Sequence, residues 1–236
     1  MPHPQGRPWI IAHRGASLQT RKNTIEAFRL AAELGADAVE LDTRRTADDV
    51  LIVHHDDTVP GCDRPIIAMS RRELRDLAPW VPDLAEAIDA CTGMWVDVEV
   101  KNDPRDADWD PDDAVTKALV AIHGGDDIVV TSFNSDSVAV ASGAGLRTGW
   151  LIGRGIDPAA VTQAAAAAGH ELLLPHYSTM SGDHGSHILD TAGLAGVEVV
   201  VWTLDDPVEM MRLAGLGVGG IATNAPDIAH SALNVL

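Results

Sequence analysis

Two acidic pairs interrupt apolar runs in this chain, Glu40 and Asp42 within Ala38 to Asp42, and Asp97 and Glu99 within Val96 to Lys101. Side chains alternate faces along a strand, so Val39 and Leu41 share one face and Glu40 and Asp42 the other. By the same rule Val96, Val98 and Val100 oppose Asp97, Glu99 and Lys101. Three to four carboxylates in a partly desolvated space raise one another's pKa values unless positive charge intervenes. Lys101 and Arg14 supply two such charges, and a divalent metal would supply the rest. All-oxygen ligation selects a hard ion, Mg²⁺ or Ca²⁺, over zinc. His13 follows the first apolar run and His54-His55-Asp56 follows another. Two imidazoles beside a metal-bound phosphate could exchange protons near neutral pH, one as base and one as acid.

Each feature has a plainer explanation when taken singly. Glu40 and Asp42 alone fit the solvent face of an edge strand, and Asp97, Glu99 and Lys101 fit a surface ion-pair ladder. Strand-end histidines are commonly packed or solvated. Coincidence favours chemistry, because every interruption falls at the carboxyl end of a run. His176, after Leu172 to Pro175, could also reach that end. His3, His123, His170, His184, His187 and His230 carry no such signal, and the charged segment Asp103 to Asp113 reads as solvated surface.

These residues need elements to position them, and strand-like and helix-like segments alternate along the chain. The strand candidates are Trp9 to Ala12, Ala38 to Thr43, Val50 to His54, Met94 to Val100, Asp127 to Thr131, Thr148 to Ile152, Glu171 to Leu174, Val197 to Thr203 and Gly220 to Thr223. Helical patterns cover 24–34, 70–78, 83–91, 112–123, 135–143, 158–168, 184–195, 206–214 and 226–235. The first has Asn23 as its cap, Glu26 three residues on, and Gly35 as its stop. Repeated strand–helix units imply parallel strands. The expected fold is α/β, a (β/α)₈ TIM barrel with its site at the C-terminal mouth, formed by a single domain over residues 1–236. Eight strands would close it, leaving Val50 to His54 as either the third strand or an extra ribbon. An open doubly wound sheet is the alternative, but His13-Arg14-Gly15 stands where its glycine-rich phosphate loop would be.

Composition narrows the partners. The chain has 236 residues, 46% hydrophobic and 22% charged, with a formal charge of −18. Such a surface repels nucleic acid and anionic lipid. No window approaches the ~20 apolar residues of a membrane span. Met1 to Pro8 lacks the apolar core of a signal peptide, and Cys62 and Cys91 make no disulfide framework, so a cytoplasmic location is expected. Any anionic substrate would need a local positive site, and the oligomeric state leaves no trace in the sequence.

Six blocks in order then resemble the glycerophosphodiester phosphodiesterase family: His13-Arg14-Gly15 with Asn23-Thr24, Glu40-Leu41-Asp42 with Thr46, His55-Asp56, Glu99-Val100-Lys101, Ser132-Phe133, and Val201-Trp202-Thr203 with Gly220-Ile221 and Pro226-Asp227. The resemblance spans nearly the whole chain. It implies metal ligation by Glu40, Asp42 and Glu99, and acid/base roles for His13 and, in place of His54, His55. Phosphate contacts from Arg14 and Lys101 and a pocket wall from Trp202 are implied too, with a glycerol-phospho-alcohol substrate cleaved to glycerol 3-phosphate and an alcohol. The chain departs from the family pattern at Arg21-Lys22, where Pro-Glu is usual, and in Pro60 to Arg64. It also carries Asp205 where the family has asparagine, and Gly219 and Asn224 where it has aspartates. Related possibilities are a lysophospholipase D or sphingomyelinase D-like enzyme, disfavoured by the lack of a recognisable exposed aromatic loop, and a non-catalytic phosphodiester-binding barrel.

Overall fold

The computed structural model describes residues 3–4, 6–122 and 127–234; His123 lies outside the described residues. Among these, the strands are β1 (Trp9–His13), β2 (Ala38–Arg45), β3 (Leu51–Val53), β4 (Trp95–Val100), β5 (Ile128–Ser132), β6 (Arg147–Ile152), β7 (Leu172–Pro175), β8 (Glu198–Val201) and β9 (Gly220–Thr223). The helices are α1 (Ile25–Glu33), α2 (Arg71–Leu77), α3 (Leu84–Ala90), α4 (Ala114–Ile122), α5 (Ser135–Gly143), α6 (Pro158–Ala167), α7 (Gly182–Ala195), α8 (Pro207–Leu216) and α9 (Pro226–Leu233). Strand order runs β1-β9-β8-β7-β6-β5-β4-β2-β3, and pairing of β1 with β2 closes eight parallel strands into a barrel. The run Val50 to His54 is the extra ribbon: β3 pairs antiparallel with β2, Thr43 opposite Val53 and Arg45 opposite Leu51.

The two faces of the barrel wall follow the alternation in the sequence. Val39, Leu41, Val96, Val98 and Val100 pack outward with Phe28 and Ala31 of α1 and Leu119 of α4. Inward, Trp9, Ile11, Ala38, Trp95, Leu172 and Leu174 fill the floor of the barrel. Above this floor the inward positions turn polar. Register aligns His13 with Glu40 and Glu40 with Asp97, then Asp42 with Glu99 one step nearer the C-terminal mouth.

Local signals set the helix ends, with one correction. Thr24, not Asn23, caps α1, its side chain accepting from Ala27 N at 3.2 Å. Asn23 is taken up elsewhere, donating Nδ2 to Asp42 Oδ2 at 2.7 Å. Gly35 does end the helix, with φ at +83° and no room for a side chain beside His230. The strand expected over Val197 to Thr203 is shorter, because Trp202 makes a single bridge to His176 and the chain then turns into a loop. No helix among the described residues is long and apolar enough to cross a membrane.

Candidate active site

The turn after β1 brings its backbone to the acids. Arg14 N donates to both Glu40 O (2.8 Å) and Glu40 Oε2 (2.9 Å). Gly15 must be glycine: its φ is +80°, and a Cβ there would sit 2.6 Å from Ala27 Cβ. The His-Arg-Gly sequence is therefore a tight turn that presses β1 against α1 while aiming His13 and Arg14 at β2.

Glu40, Asp42 and Glu99 converge, with one carboxylate oxygen from each lying within 4.8 Å of the others, all three buried. Lys101 Nζ lies 2.9 Å from Asp42 Oδ1 and also contacts Glu99 Oε1. Arg14 Nε lies 3.1 Å from Asp42 Oδ2. The consequences for charge differ across the trio. Burial, then the Asp42 charge, pushes the Glu40 carboxyl well above its ordinary range. Glu99 is raised mainly by burial, with Lys101 opposing. Burial also works against ionised Asp42, but Lys101 and Arg14 outweigh it and hold that carboxyl far below the usual range. Two cations therefore balance two of the three carboxylates and leave Glu40 without a basic partner. Glu40 Oε1 is buried without a hydrogen-bond partner. Three converging carboxylates with an orphaned oxygen fit a hard divalent cation.

His13 approaches Glu40, and His55 lines the cavity with Glu99. His13 Nε2 lies 3.9 Å from Glu40 Oε2, while Nδ1 faces Asn224 Oδ1 at 2.8 Å. Burial first and Arg14 second lower the His13 pKa to about 4. His55 follows β3, with Nδ1 at 2.7 Å from Asp56 Oδ1. Its pKa is also lowered, by burial chiefly, with Asp42 opposing. His54 Nδ1 meets Asp56 O at 2.9 Å, and it is His55 that lines the cavity beside Glu99 and Lys101.

A cavity of about 750 Å³ opens on the Glu99, Lys101 and His55 side, walled by Asp103, Trp109 and Phe133. Trp202 supports this wall from behind, its ring edge-on to Phe133 at 5.3 Å and to His176 at 5.0 Å. The reach of His176 is used up there: Nε2 meets Arg154 Nη2 at 2.6 Å and Nδ1 meets Ser178 Oγ at 2.7 Å. Trp109 and Phe133 are 43% and 42% exposed, so the mouth does carry accessible aromatics, contrary to the reading of the sequence.

Two further expectations change. The segment Asp103 to Asp113 is not merely solvated surface, because Asp108 and Asp113 are buried. Arg44, which sequence reasoning missed, holds it: Nη1 meets Asp108 Oδ1 at 2.5 Å, Nη2 meets Asp106 Oδ2 at 2.7 Å, and Nε donates to His55 O at 2.8 Å. Its signal was a basic residue two positions past the Glu-Leu-Asp strand segment. As for the Arg21-Lys22 departure, Arg21 lies 4.1 Å over the Trp80 ring in a separate hollow. Lys22 is exposed and helps hold down the Asp56 carboxyl, after burial (opposing) and His55, so neither residue lies on the trio.

Comparison with known proteins agrees with the fold. A glycerophosphodiester phosphodiesterase of Caldanaerobacter subterraneus is 27% identical over 241 residues, covering 92% of this chain and 94% of that protein. The crystal structure of a glycerophosphodiester phosphodiesterase from Thermotoga maritima superposes with a TM-score of 0.83 at 24% identity, covering 98% and 99% of the two chains. A phosphodiesterase from Oleispira antarctica, solved in complex with the product sn-glycerol-3-phosphate, gives 0.80 at 23% identity and 96% coverage of each chain. The glycerophosphoryl diester phosphodiesterase family matches residues 13–228. With that span matched, this chain belongs to the glycerophosphoryl diester phosphodiesterase family and is a phosphoric diester hydrolase.

Proposed function

We propose that residues 1–236 act as one cytoplasmic domain that hydrolyses a glycerophosphodiester to glycerol 3-phosphate and an alcohol. The observation that carries this reading is the buried Glu40, Asp42 and Glu99 trio, with His13 beside Glu40 and His55 sharing a cavity with Glu99. The trio would hold Mg²⁺ or Ca²⁺, which when bound supplies positive charge to the phosphate oxygens. Arg14 and Lys101, already paired to the acids, add fixed donors for the same oxygens. His13 faces a neutral amide through Nδ1, which suits Nε2 to take the proton of the attacking water, or of a glycerol hydroxyl whose cyclic phosphate water then opens to glycerol 3-phosphate. His55 contacts a carboxylate and borders the cavity, which suits it to protonate the departing alkoxide there. Phe133, backed by Trp202, walls the space for the leaving alcohol.

Purified protein supplied with glycerophosphocholine and Mg²⁺ or Ca²⁺ is expected to release glycerol 3-phosphate, and EDTA to abolish the release. Absence of EDTA-sensitive turnover on any glycerophosphodiester overturns the reading. The exposed Trp109 and Phe133 favour a second reading, in which the leaving group carries an apolar chain; faster turnover of lysolipid micelles than of the soluble diester would select it.

A further inference from the structure

Behind His13 lies a chain of hydrogen bonds that ends in a carboxylate. Asn224 Oδ1 meets His13 Nδ1 at 2.8 Å, while Asn224 Nδ2 donates to Asp205 Oδ2 at 2.7 Å. The other Asp205 oxygen accepts from Asn224 N (2.7 Å) and Thr223 Oγ1 (2.9 Å). Ser17 Oγ lies within 3.0 Å of Asn224 Oδ1 and donates to His13 O at 2.8 Å. A carboxylate only accepts, so Asp205 forces the NH₂ of Asn224 toward itself and the amide oxygen toward His13. An amide oxygen also only accepts, so the imidazole proton must sit on Nδ1. Nε2, the nitrogen 3.9 Å from Glu40, is left with its lone pair facing the acids.

We propose that Asp205 is a positioning residue: acting through Asn224, it fixes His13 as the Nδ1–H tautomer and so presents Nε2 as the proton acceptor of the reaction. Without Asp205 the amide has no preferred orientation, and Asn224 could equally turn Nδ2 toward the ring and draw the proton to Nε2. These are two of the positions where the sequence departs from the family pattern, aspartate at 205 and asparagine at 224, and the structure places them in direct contact. The proposal rests on the hydrolase reading only for its kinetic consequence; the tautomer itself does not require substrate.

The test follows the ¹⁵N imidazole resonances of His13 in the full chain at pH 8 with Mg²⁺, identified by their loss in His13→Gln, together with turnover of glycerophosphocholine. The natural chain is expected to show one tautomer, protonated at Nδ1. Asp205→Asn is expected to show both tautomers, with kcat lowered about ten- to hundred-fold and KM within about two-fold. The exchanged pair Asp205→Asn with Asn224→Asp, in which an acceptor-only carboxylate faces His13 directly, is expected to restore the Nδ1–H tautomer and bring kcat back to within about three-fold. A role confined to holding the β9 loop would not be rescued in this way. A single Nδ1–H tautomer in Asp205→Asn, at any kcat, overturns the proposal, as does an exchanged pair that fails to restore it. If Asp205→Asn does not fold, the exchanged pair alone decides by the same readouts. If no glycerophosphodiester is turned over, the hydrolase reading fails, while the tautomer still decides the role of Asp205.

Discussion

Lys101 Nζ sits 2.9 Å from Asp42 Oδ1 and simultaneously contacts Glu99, bridging two of the three acids on neighbouring strands β2 and β4. Burial works against its charge, but Glu99 and Asp42 raise the Lys101 pKa above its ordinary value, so the ammonium is retained. It therefore serves as an internal counter-ion to two of the buried acids.

Replacing Lys101 by methionine removes that counter-ion at nearly constant volume. Breaking a buried ion pair from one side typically costs about 3–5 kcal/mol, because a buried charge is left uncompensated. Lys101→Met is expected to lose stability of that order at pH 8 in EDTA, and to recover more on addition of Mg²⁺ or Ca²⁺ than the natural chain gains. Urea unfolding with and without metal checks both halves.

Asp97, beneath the trio, makes stability depend on pH in the opposite sense to His13. Burial raises its pKa to about 7, with the hydrogen bond from Thr131 opposing. An acid whose folded pKa lies above its unfolded value near 3.9 contributes stability that is complete below about pH 3.9 and lost as pH climbs toward 7. His13, lowered to about 4, is the reverse: its contribution is complete above about 6.5 and lost as pH falls toward 4. Over about pH 4 to 6.5 the two offset each other. Asp97→Asn keeps an acceptor for Thr131 and removes one side of this balance. Its metal-free stability advantage is expected to grow from near zero at pH 4 to a ceiling of about 4 kcal/mol at pH 8. Urea midpoints measured across that range test it, and a constant difference would show that Asp97 does not titrate there.

The two histidines are predicted to separate by leaving group. Loss of a general acid or base typically costs about 10²–10⁴ in rate. His13→Ala is expected to fall by a similar factor on glycerophosphocholine and on a nitrophenyl diester, since both need the attacking hydroxyl deprotonated. His55→Ala is expected to fall that far on the choline ester but much less on the nitrophenyl ester, whose leaving group departs without a proton. Comparison of kcat on the two substrates provides the measurement.

What the sequence made legible was local. Apolar runs bounded by turn residues located β1 through β9, and alternation separated Val39 and Leu41 from Glu40 and Asp42. A short run such as Leu51 to Val53 looks the same in parallel and antiparallel pairing, so only its register with Thr43 to Arg45 shows it to be a ribbon. Asn23 and Thr24 are both good caps, and Asp42, 19 residues away, took Asn23 for itself. The burial of Asp108 was equally hidden, because Arg44, which neutralises it, is 64 residues distant. Long-range polar pairs leave no periodicity to read.

Arg44 is the clearest case of such a pair reaching the chemistry. Its guanidinium holds Asp106 of the cavity wall and the buried Asp108 behind it with two nitrogens and the His55 carbonyl with the third, so the position of the imidazole and the shape of the cavity depend on one side chain. Burial opposes the charge, but Asp108 and Asp106 raise the Arg44 pKa and keep it protonated. Arg44→Met leaves Asp108 buried and unpaired, at an expected cost of about 3–5 kcal/mol in urea unfolding. Arg44→Lys is expected to retain the charge but not the three-way geometry, since an ammonium lacks the planar fork. It should recover most of the stability and still show a lowered kcat on glycerophosphocholine. On a nitrophenyl diester, whose leaving group departs without a proton, its kcat should stay near that of the natural chain. If Arg44→Lys loses equally on both substrates, Arg44 supports the pocket as a whole and does not act through His55.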